Sequence, residues 1–186
     1  GGNKMGKISY LQAIKDAMSE EMRRDENVYF LGEDIGLYGG CFGVSRGMFD
    51  EFGKERVIDT PISETGFTYA AFGMAMFGLR PIVEIMFGDF VSLAVEPIVN
   101  GAAKYRFMTG GQVKAPLVLR TPFGSGTGAA AQHSQCLEAL FLNTPGLKVV
   151  MPATPYDAKG LLKSAIRDDN PVCFFENKLL YRTNGE

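Results

Sequence analysis

The amino-acid sequence predicts an α/β fold, in which a mostly parallel β-sheet is covered by helices on both faces. Short apolar runs typical of buried strands alternate with segments of helical periodicity along the whole chain, as in folds built from βαβ units. One helical segment carries no charged residue, so we expect it to be buried. The chain has 186 residues, 46% hydrophobic and 22% charged, which is enough for the core of one domain.

The predicted elements follow one another in order with short connections. The first helix begins after Ser9, a suitable N-cap, and runs to about residue 24, because apolar side chains recur there at helical spacing. Further strands are predicted at 28–31, 57–58, 81–87, 116–120, 148–151 and 172–176, and glycine-rich loops at 36–43 and 124–128. Further helices are predicted at about 45–52, 66–77, 90–108 and 154–167, and from about 134. No element is predicted after Tyr181.

Composition and charge exclude several classes of function. The formal net charge of -2 gives no electrostatic basis for binding nucleic acid or an anionic membrane. No apolar run reaches the roughly 18 residues of a membrane span, and no signal peptide is visible. The three cysteines lack metal-binding or redox spacing, which favours a reducing cytoplasm.

Residues 1–5 are interpreted as a tag remnant ending at the start residue Met5, and residues 6–186 as the domain.

Glu64 is the most informative candidate residue. It stands at the head of the uncharged helix, so its carboxyl is expected to be buried with it. A desolvated carboxyl without a cationic partner in sequence is a candidate for function. The alternative is an ordinary first-turn acid favoured by the helix dipole.

His133 is the only histidine of the chain, and it follows a run of small residues. Such a run indicates an open loop that a ligand can approach closely, where imidazole acid–base chemistry is possible. A histidine that merely packs beside a helix cap is the structural alternative, and the sequence leaves both open.

The glycine-rich loop at 124–128 raises a second hypothesis, a nicotinamide-dinucleotide-binding enzyme. The loop follows a predicted strand and matches the relaxed form of the dinucleotide fingerprint. It lies late in the chain, however, and the nearest downstream acid, Glu138, is too close to serve as the ribose-binding residue. The stretch 110–114 has the wrong spacing for a phosphate-binding P-loop.

Several segments together resemble one family across nearly the whole chain. They are LGED (31–34), DTPISE (59–64), GLRPIVE (78–84), AQHSQ (131–135), PGLKVV (145–150) and DAKGLL (157–162). In this order and spacing they resemble the beta subunit of the decarboxylating component of pyruvate, branched-chain 2-oxo acid and acetoin dehydrogenases. The resemblance covers that family's first domain, a pyrimidine-binding domain of the transketolase type, and not its C-terminal domain.

The resemblance implies thiamine diphosphate as cofactor and gives roles to particular residues. Glu64 would activate the cofactor through its pyrimidine ring, and His133 would line the substrate channel and act on the intermediate. Phe90 would stack on the pyrimidine, with Ile62 and Met86 nearby, and Glu33 would belong to the surrounding acid network. A structural potassium ion would be held by backbone oxygens of Leu117, Ala165, Ile166, Asp168 and Asn170.

The family also implies partners. An alpha subunit would hold the diphosphate and Mg²⁺ in an alpha2beta2 assembly, and a lipoyl-bearing acyltransferase would receive the acyl group. The leading hypothesis is therefore oxidative decarboxylation of a 2-oxo acid, or cleavage of acetoin, by a complex in which this chain is inactive alone. Besides the nicotinamide hypothesis, a third possibility is a non-catalytic module that only binds an alpha-like partner.

Overall fold

The computed structural model describes residues 6–185 of the chain. Its strands are β1 (Ile8–Ser9), β2 (Val28–Gly32), β3 (Val57–Asp59), β4 (Arg80–Glu84), β5 (Val118–Phe123), β6 (Lys148–Val150), β7 (Val172–Asn177) and β8 (Asn184–Gly185). Its α-helices are α1 (Tyr10–Arg24), α2 (Met48–Phe52), α3 (Glu64–Met76), α4 (Ala103–Met108), α5 (Ala139–Leu142) and α6 (Pro155–Arg167). Three 3₁₀ helices (Gly88–Ala94, Ala131–His133 and Lys178–Arg182) and a π-helix (Pro97–Ala102) complete them. The interpretation of residues 1–5 as a tag remnant lies outside the described residues.

Six strands form one sheet in the order β3-β2-β4-β5-β7-β6, and every neighbouring pair is parallel. This confirms the predicted α/β fold with a parallel sheet. A separate antiparallel pair joins β1 to β8, so the chain does form an element after Tyr181. Strands of two residues leave no periodicity in a sequence, which is why β8 was not predicted.

Helices cover both faces of the sheet, because the buried strands present apolar side chains to both sides. Along β7, Val172 and Phe174 face α1 and α6, whereas Cys173 and Phe175 face α3 and the 3₁₀ and π helices that follow β4. Each face therefore has a core of its own, and both cores exclude water from the sheet. Among residues 6–185, no helix is long and apolar enough to span a membrane.

Helix α1 begins at the predicted residue and is joined to α6 by ion pairs. The Ser9 side chain accepts a hydrogen bond from the backbone N–H of Gln12 at 3.1 Å, which confirms it as the N-cap. On the outer edge of the contact, Glu20 pairs with Lys159 and Lys163, both at 2.7 Å. These ion pairs flank an apolar contact between the two helices, which share one buried core, and α6 then returns the chain to strand β7.

The long helix predicted at 90–108 is instead broken into 3₁₀, π and α segments. Pro97 has no N–H, so it cannot bond the Leu93 carbonyl oxygen four residues earlier. That oxygen instead accepts a hydrogen bond from the Thr65 hydroxyl at 2.6 Å, on the first turn of α3. The break thus ties the segment after β4 to the head of α3.

The prediction of a helix from about residue 134 is also wrong. That stretch holds only a short 3₁₀ turn and the four-residue α5. The backbone N–H groups of Ser134 and Gln135 point to the carboxylate of Asp89 and not along a helix axis. A contact between residues 45 positions apart overrides the local pattern, and it shapes the loop that carries His133.

Candidate active site

The candidate site lies at the carboxyl end of the parallel sheet. The chain leaves β2 toward β3 on one side and then returns to β4 on the other, so the order of strands reverses between β2 and β4. Ligands of open α/β sheets bind in the crevice outside such a reversal. Glu33 directly follows β2, Phe90 lies after β4, and His133 lies in the loop after β5. The structure therefore brings these sequence-predicted residues to one edge of the fold.

Two buried carboxyl groups, those of Glu64 and Glu33, lie at this edge, and the negative charge of Glu64 helps to raise the pKa of Glu33. Glu64 is the first residue of α3 and is 8% exposed, which confirms its expected burial. Within residues 6–185 its side chain has neither a hydrogen bond nor an ion pair, and its place on the first turn is one where the helix dipole favours a carboxylate. Both the functional and the helix-end interpretations of Glu64 are compatible with that geometry.

Glu33 carries the clearest sign of an incomplete site. It is 7% exposed, and its Oε1 is buried without a hydrogen-bond partner among the described residues. Burial, followed by the negative charges of Glu64, Asp34 and Glu84, raises the pKa of Glu33 to about 7. A buried carboxyl that keeps its proton near neutral pH and lacks a partner is suited to exchange a proton with a bound ligand.

The single histidine is packed between two aromatic rings. The ring centroid of His133 lies 4.6 Å from that of Phe87 and 5.5 Å from that of Phe90, and both contacts are edge-to-face. Phe87 in turn contacts Phe42 at 5.4 Å. Phe90 and His133, which the sequence placed in one site by resemblance, are therefore neighbours.

Asp89 holds the His133 loop in place, and the sequence did not single it out. Its buried carboxylate accepts hydrogen bonds from the backbone N–H of Ser134 at 3.1 Å, and from the backbone N–H and side-chain amide of Gln135 at 3.0 and 2.9 Å. Lys178 adds a hydrogen bond to the carbonyl oxygen of His133. The only available signal was an acid next to Phe90 in an otherwise apolar segment.

A buried ion cluster lies beneath the site and was also missed from the sequence. Arg120 on β5 is fully buried between Glu84 of β4 and Glu176 of β7, and its Nε lies 2.7 Å from Glu176 Oε1. The Tyr181 hydroxyl donates to the Glu176 carboxylate at 2.6 Å. Burial raises the pKa of Glu84, although the Arg120 guanidinium lowers it. The cluster thus joins strand β5 to the carboxyl ends of its two neighbours, β4 and β7.

The remaining residues that the resemblance assigned to the cofactor are less enclosed. Ile62 is 86% exposed, and Met86 is half-buried. Ile62 precedes Glu64 by two residues and Met86 follows β4, so both border the same edge of the sheet.

The loop at 124–128 does not have the structure of a dinucleotide-binding turn. It follows β5, but it leads into an irregular stretch and a three-residue 3₁₀ turn, not into a helix. A dinucleotide fingerprint requires a helix at this point, because the helix N-terminus binds the pyrophosphate. The loop therefore does not support the nicotinamide hypothesis.

The predicted potassium ligands are partly engaged with protein groups. The guanidinium of Arg80 donates to the carbonyl oxygens of Ile166 and Asp168 at 3.1 and 3.0 Å. The Leu117 and Ala165 oxygens accept from the backbone N–H groups of Val172 and Asp168. For Asn170, within the part of the chain that the structure describes, only the side-chain oxygen, and not the predicted backbone oxygen, accepts a hydrogen bond, from Arg106. Because the cationic Arg80 side chain already donates hydrogen bonds to two of these carbonyl oxygens, the residues fit a potassium ion poorly, and the ion stays a prediction. The described residues hold no cluster of His, Cys, Asp or Glu that could bind a metal ion.

Fold and site together define a class of protein: an α/β domain whose candidate functional residues lie at the carboxyl edge of a parallel sheet, where the strand order reverses. Residues 6–184 match the family model described as "Transketolase, pyrimidine binding domain", so the chain belongs to this family. The chain is also similar to a solved structure of a split-gene transketolase, an inactive beta4 tetramer, with a TM-score of 0.71 at 21% identity over 90% of this chain and 50% of that one. At this identity the likeness shows the fold alone.

Curated relatives confirm the resemblance to the beta subunits. The chain is 51% identical over 178 residues to the 2-oxoisovalerate dehydrogenase subunit beta of Bacillus subtilis, covering 96% of this chain and 54% of the relative. It is 52% identical to the pyruvate dehydrogenase E1 component subunit beta of Rhizobium meliloti, covering 100% and 40%. It is 49% identical to the acetoin:2,6-dichlorophenolindophenol oxidoreductase subunit beta of Bacillus subtilis, covering 96% and 56%. The chain thus spans about half the length of these relatives.

Proposed function

We propose that this chain is the pyrimidine-binding half of a thiamine-diphosphate enzyme that oxidatively decarboxylates a 2-oxo acid, or cleaves acetoin, and passes the acyl group to lipoamide. The observation that carries the proposal is the pair of buried carboxyls at the strand-order reversal, of which Glu33 has an oxygen without a partner. The family match and the names of the relatives support the cofactor and the reaction class.

Glu64 is the proposed activating residue. When bound, thiamine diphosphate supplies a stabilised carbanion for the decarboxylation of a 2-oxo acid. The Glu64 carboxyl would hold a proton in a hydrogen bond to a pyrimidine ring nitrogen, a task that needs a fixed, dry carboxyl. Glu33, with its pKa near 7, would share that proton, and Phe90, Ile62 and Met86 would form the apolar walls around the ring.

His133 is the proposed acid–base residue for the substrate. Its ring is held by Phe87 and Phe90, and its backbone is fixed through Asp89 and Lys178, so the imidazole has little freedom to move away. A histidine fixed in this way can give or take a proton at a substrate oxygen without reorganising. This role distinguishes the enzyme from the non-catalytic assembly module.

An uncharged face of α3 is the proposed contact with an alpha subunit. The expectation that the whole helix is buried is wrong for this chain: Phe67, Ala71 and Ala75 are buried, but Tyr69 is 43% exposed and Phe77 90%. Gly66, Ala70 and Gly73 lie on the uncovered side, and residues this small let another backbone approach closely. Because α3 begins with Glu64, a partner on this face would close the site from outside.

The rest of the assembly follows from the same proposal. The alpha subunit would hold the cofactor's diphosphate and Mg²⁺ in an alpha2beta2 enzyme, and a lipoyl-bearing acyltransferase would accept the acyl group. The assignment of residues 6–186 to a pyrimidine-binding domain, preceded by residues 1–5, belongs to the proposal as well. A cytoplasmic location stays a prediction, since the relatives include a mitochondrial subunit from Bos taurus.

Reconstitution tests the proposal directly. The chain alone should show no turnover, because it provides only the pyrimidine half of the cofactor site. A version extended by the C-terminal domain of a relative and mixed with an alpha subunit should decarboxylate pyruvate or 3-methyl-2-oxobutanoate, or cleave acetoin, in the presence of thiamine diphosphate and Mg²⁺. Turnover by the 186-residue chain alone, or an assembled complex without turnover on all three substrates, would contradict the proposal.

A further inference from the structure

A cavity of about 640 Å³ lies beside the candidate active site and includes none of its cofactor residues. It is bounded by the glycine-rich loop after β2, the loop after β5, the 3₁₀ helix after β7 and the start of α1. Its walls combine apolar and cationic side chains, among them Leu11, Phe42, Tyr181, Arg46, Lys178 and Arg182. Of the residues in its wall, the proposed chemistry uses only Lys178, which holds the His133 loop through the His133 carbonyl oxygen.

The three cations of the cavity have no carboxylate partner. Among residues 6–185, no Asp or Glu oxygen lies within ion-pair distance of Arg46, Lys178 or Arg182. Glu84 approaches the cavity wall beneath Gly40, but its carboxyl is already paired with Arg120. The cavity therefore collects positive charge that the protein itself does not neutralise.

Lys178 is the cation of this cavity whose charge is buried with too few protein partners. The residue is only 5% exposed, and its ammonium makes a single hydrogen bond, to the carbonyl oxygen of His133, while lying 5.2 Å from the centre of the Phe87 ring. An ammonium has three donors, so two remain without a protein acceptor. Arg120, the fully buried cation nearby, has carboxylates on both sides. Buried charges are normally paired, so an unpaired one indicates a missing anion.

The shape of the cavity indicates what kind of anion it accepts. Phe42 and Tyr181 pack against each other at 5.5 Å and form a firm apolar wall, to which Leu11 and Leu179 add aliphatic surface. Arg46 and Gly43 both line the cavity, and the Arg46 guanidinium lies close to Gly43. Cationic groups opposite apolar walls suit a ligand with a charged head and an apolar body.

We propose that this cavity binds a small organic carboxylate with a short apolar chain, whose carboxylate is neutralised by Lys178, Arg46 and Arg182. The Lys178 ammonium would then be shared between the ligand and the His133 carbonyl oxygen. An occupied cavity is thereby linked to the backbone of the His133 loop, although the ligand does not touch the His133 ring.

The test is a titration of the isotope-labelled chain with isovalerate, followed by nuclear magnetic resonance in a low-chloride buffer. Isovalerate has a carboxylate and a branched apolar chain but no 2-oxo group, so its binding does not depend on the proposed reaction or cofactor. We expect saturable shifts at the backbone amides of Gly43, Gly126 and Thr127, which line the cavity. Isovaleramide, the neutral analogue, and inorganic phosphate, which lacks the apolar body, should bind at least about tenfold more weakly, as for a lost charge-assisted contact.

Paired variants decide whether the cavity cations are responsible. Arg46→Gln with Arg182→Gln changes two exposed side chains, so the fold should survive, and the dissociation constant for isovalerate should rise at least about tenfold. Lys54→Gln, which removes an exposed cation outside the cavity, should leave that constant unchanged. The proposal is overturned by non-saturable binding, by equal binding of isovaleramide or phosphate, or by equal constants for the double variant and Lys54→Gln. None of these outcomes would bear on the thiamine-diphosphate proposal.

Discussion

Replacing Glu33 by glutamine should increase the free energy of unfolding of this chain, but only at pH values above about 4.5, where the unfolded wild type begins to lose the Glu33 proton. The Glu33 carboxyl is buried, has an oxygen without a hydrogen-bond partner and faces the negative charges of Glu64, Asp34 and Glu84. Glutamine keeps the shape of the side chain and removes the ionisable group. The perturbation therefore isolates the cost of ionising one carboxyl at the candidate site.

The sign and size of the effect follow from the raised pKa. At low pH the folded and unfolded chains both hold the proton on Glu33, so the variant and the wild type should be equally stable. As the pH rises from about 4.5 to about 7, the unfolded chain releases this proton first, and the wild type loses stability relative to the variant. Above about pH 7 the difference levels off at a ceiling of about 3 kcal/mol, the free energy that corresponds to this change in pKa.

Urea unfolding measures this difference between pH 4 and 8. The control is Glu55→Gln, because Glu55 is an exposed carboxyl whose loss should change stability little at any pH. The difference between Glu33→Gln and wild type should grow with pH, whereas that of Glu55→Gln should stay flat. A Glu33→Gln difference that is the same at pH 4.5 and pH 8 would refute the reasoning, since it would show that Glu33 titrates alike in both states.

Four further predictions concern the proposed catalytic and structural residues. Glu64→Gln, compared with the exposed Glu96→Gln, should leave assembly normal but slow hydrogen–deuterium exchange at the cofactor's thiazolium carbon by at least about a hundredfold, and equal exchange would make Glu64 an ordinary helix-end acid. His133→Ala should retain thiamine diphosphate binding but slow the steps after substrate addition by roughly a hundredfold to ten-thousandfold in single-turnover measurements, whereas unchanged turnover would return His133 to a packing role. Ala70→Glu, on the uncovered face of α3, should block co-purification with the alpha subunit and leave the circular dichroism of the chain unchanged, and normal assembly would place the partner elsewhere. Arg120→Met should cost about 3–5 kcal/mol in urea unfolding because two buried carboxyls lose their partner, whereas Arg23→Met in an exposed pair should cost about 1 kcal/mol or less, and similar losses would mean that the buried cluster contributes nothing special.

The amino-acid sequence by itself determined the fold class and the first candidate residue. Alternation of apolar strands with periodic helices is a local property, so the parallel sheet and its two helical layers could be predicted without knowledge of any contact. The Ser9 cap is equally local, because it depends on a hydroxyl and an N–H three residues apart. Glu64 could be singled out because an uncharged helix indicates burial, and the Glu64 side chain is indeed buried although one face of α3 is exposed.

Only the tertiary structure decided the shape of the site, because its contacts join residues that are far apart in the chain. The predicted helices at 90–108 and from 134 failed where Thr65 bonds the Leu93 oxygen and where Asp89 binds the His133 loop. The sequence also did not show which charges are paired. Arg120 lies between two carboxylates of neighbouring strands, whereas Lys178 bonds only a carbonyl oxygen. A sequence lists charges but not their distances, and electrostatic energy depends on distance and burial, so which charges are satisfied becomes known only when the strands are assembled.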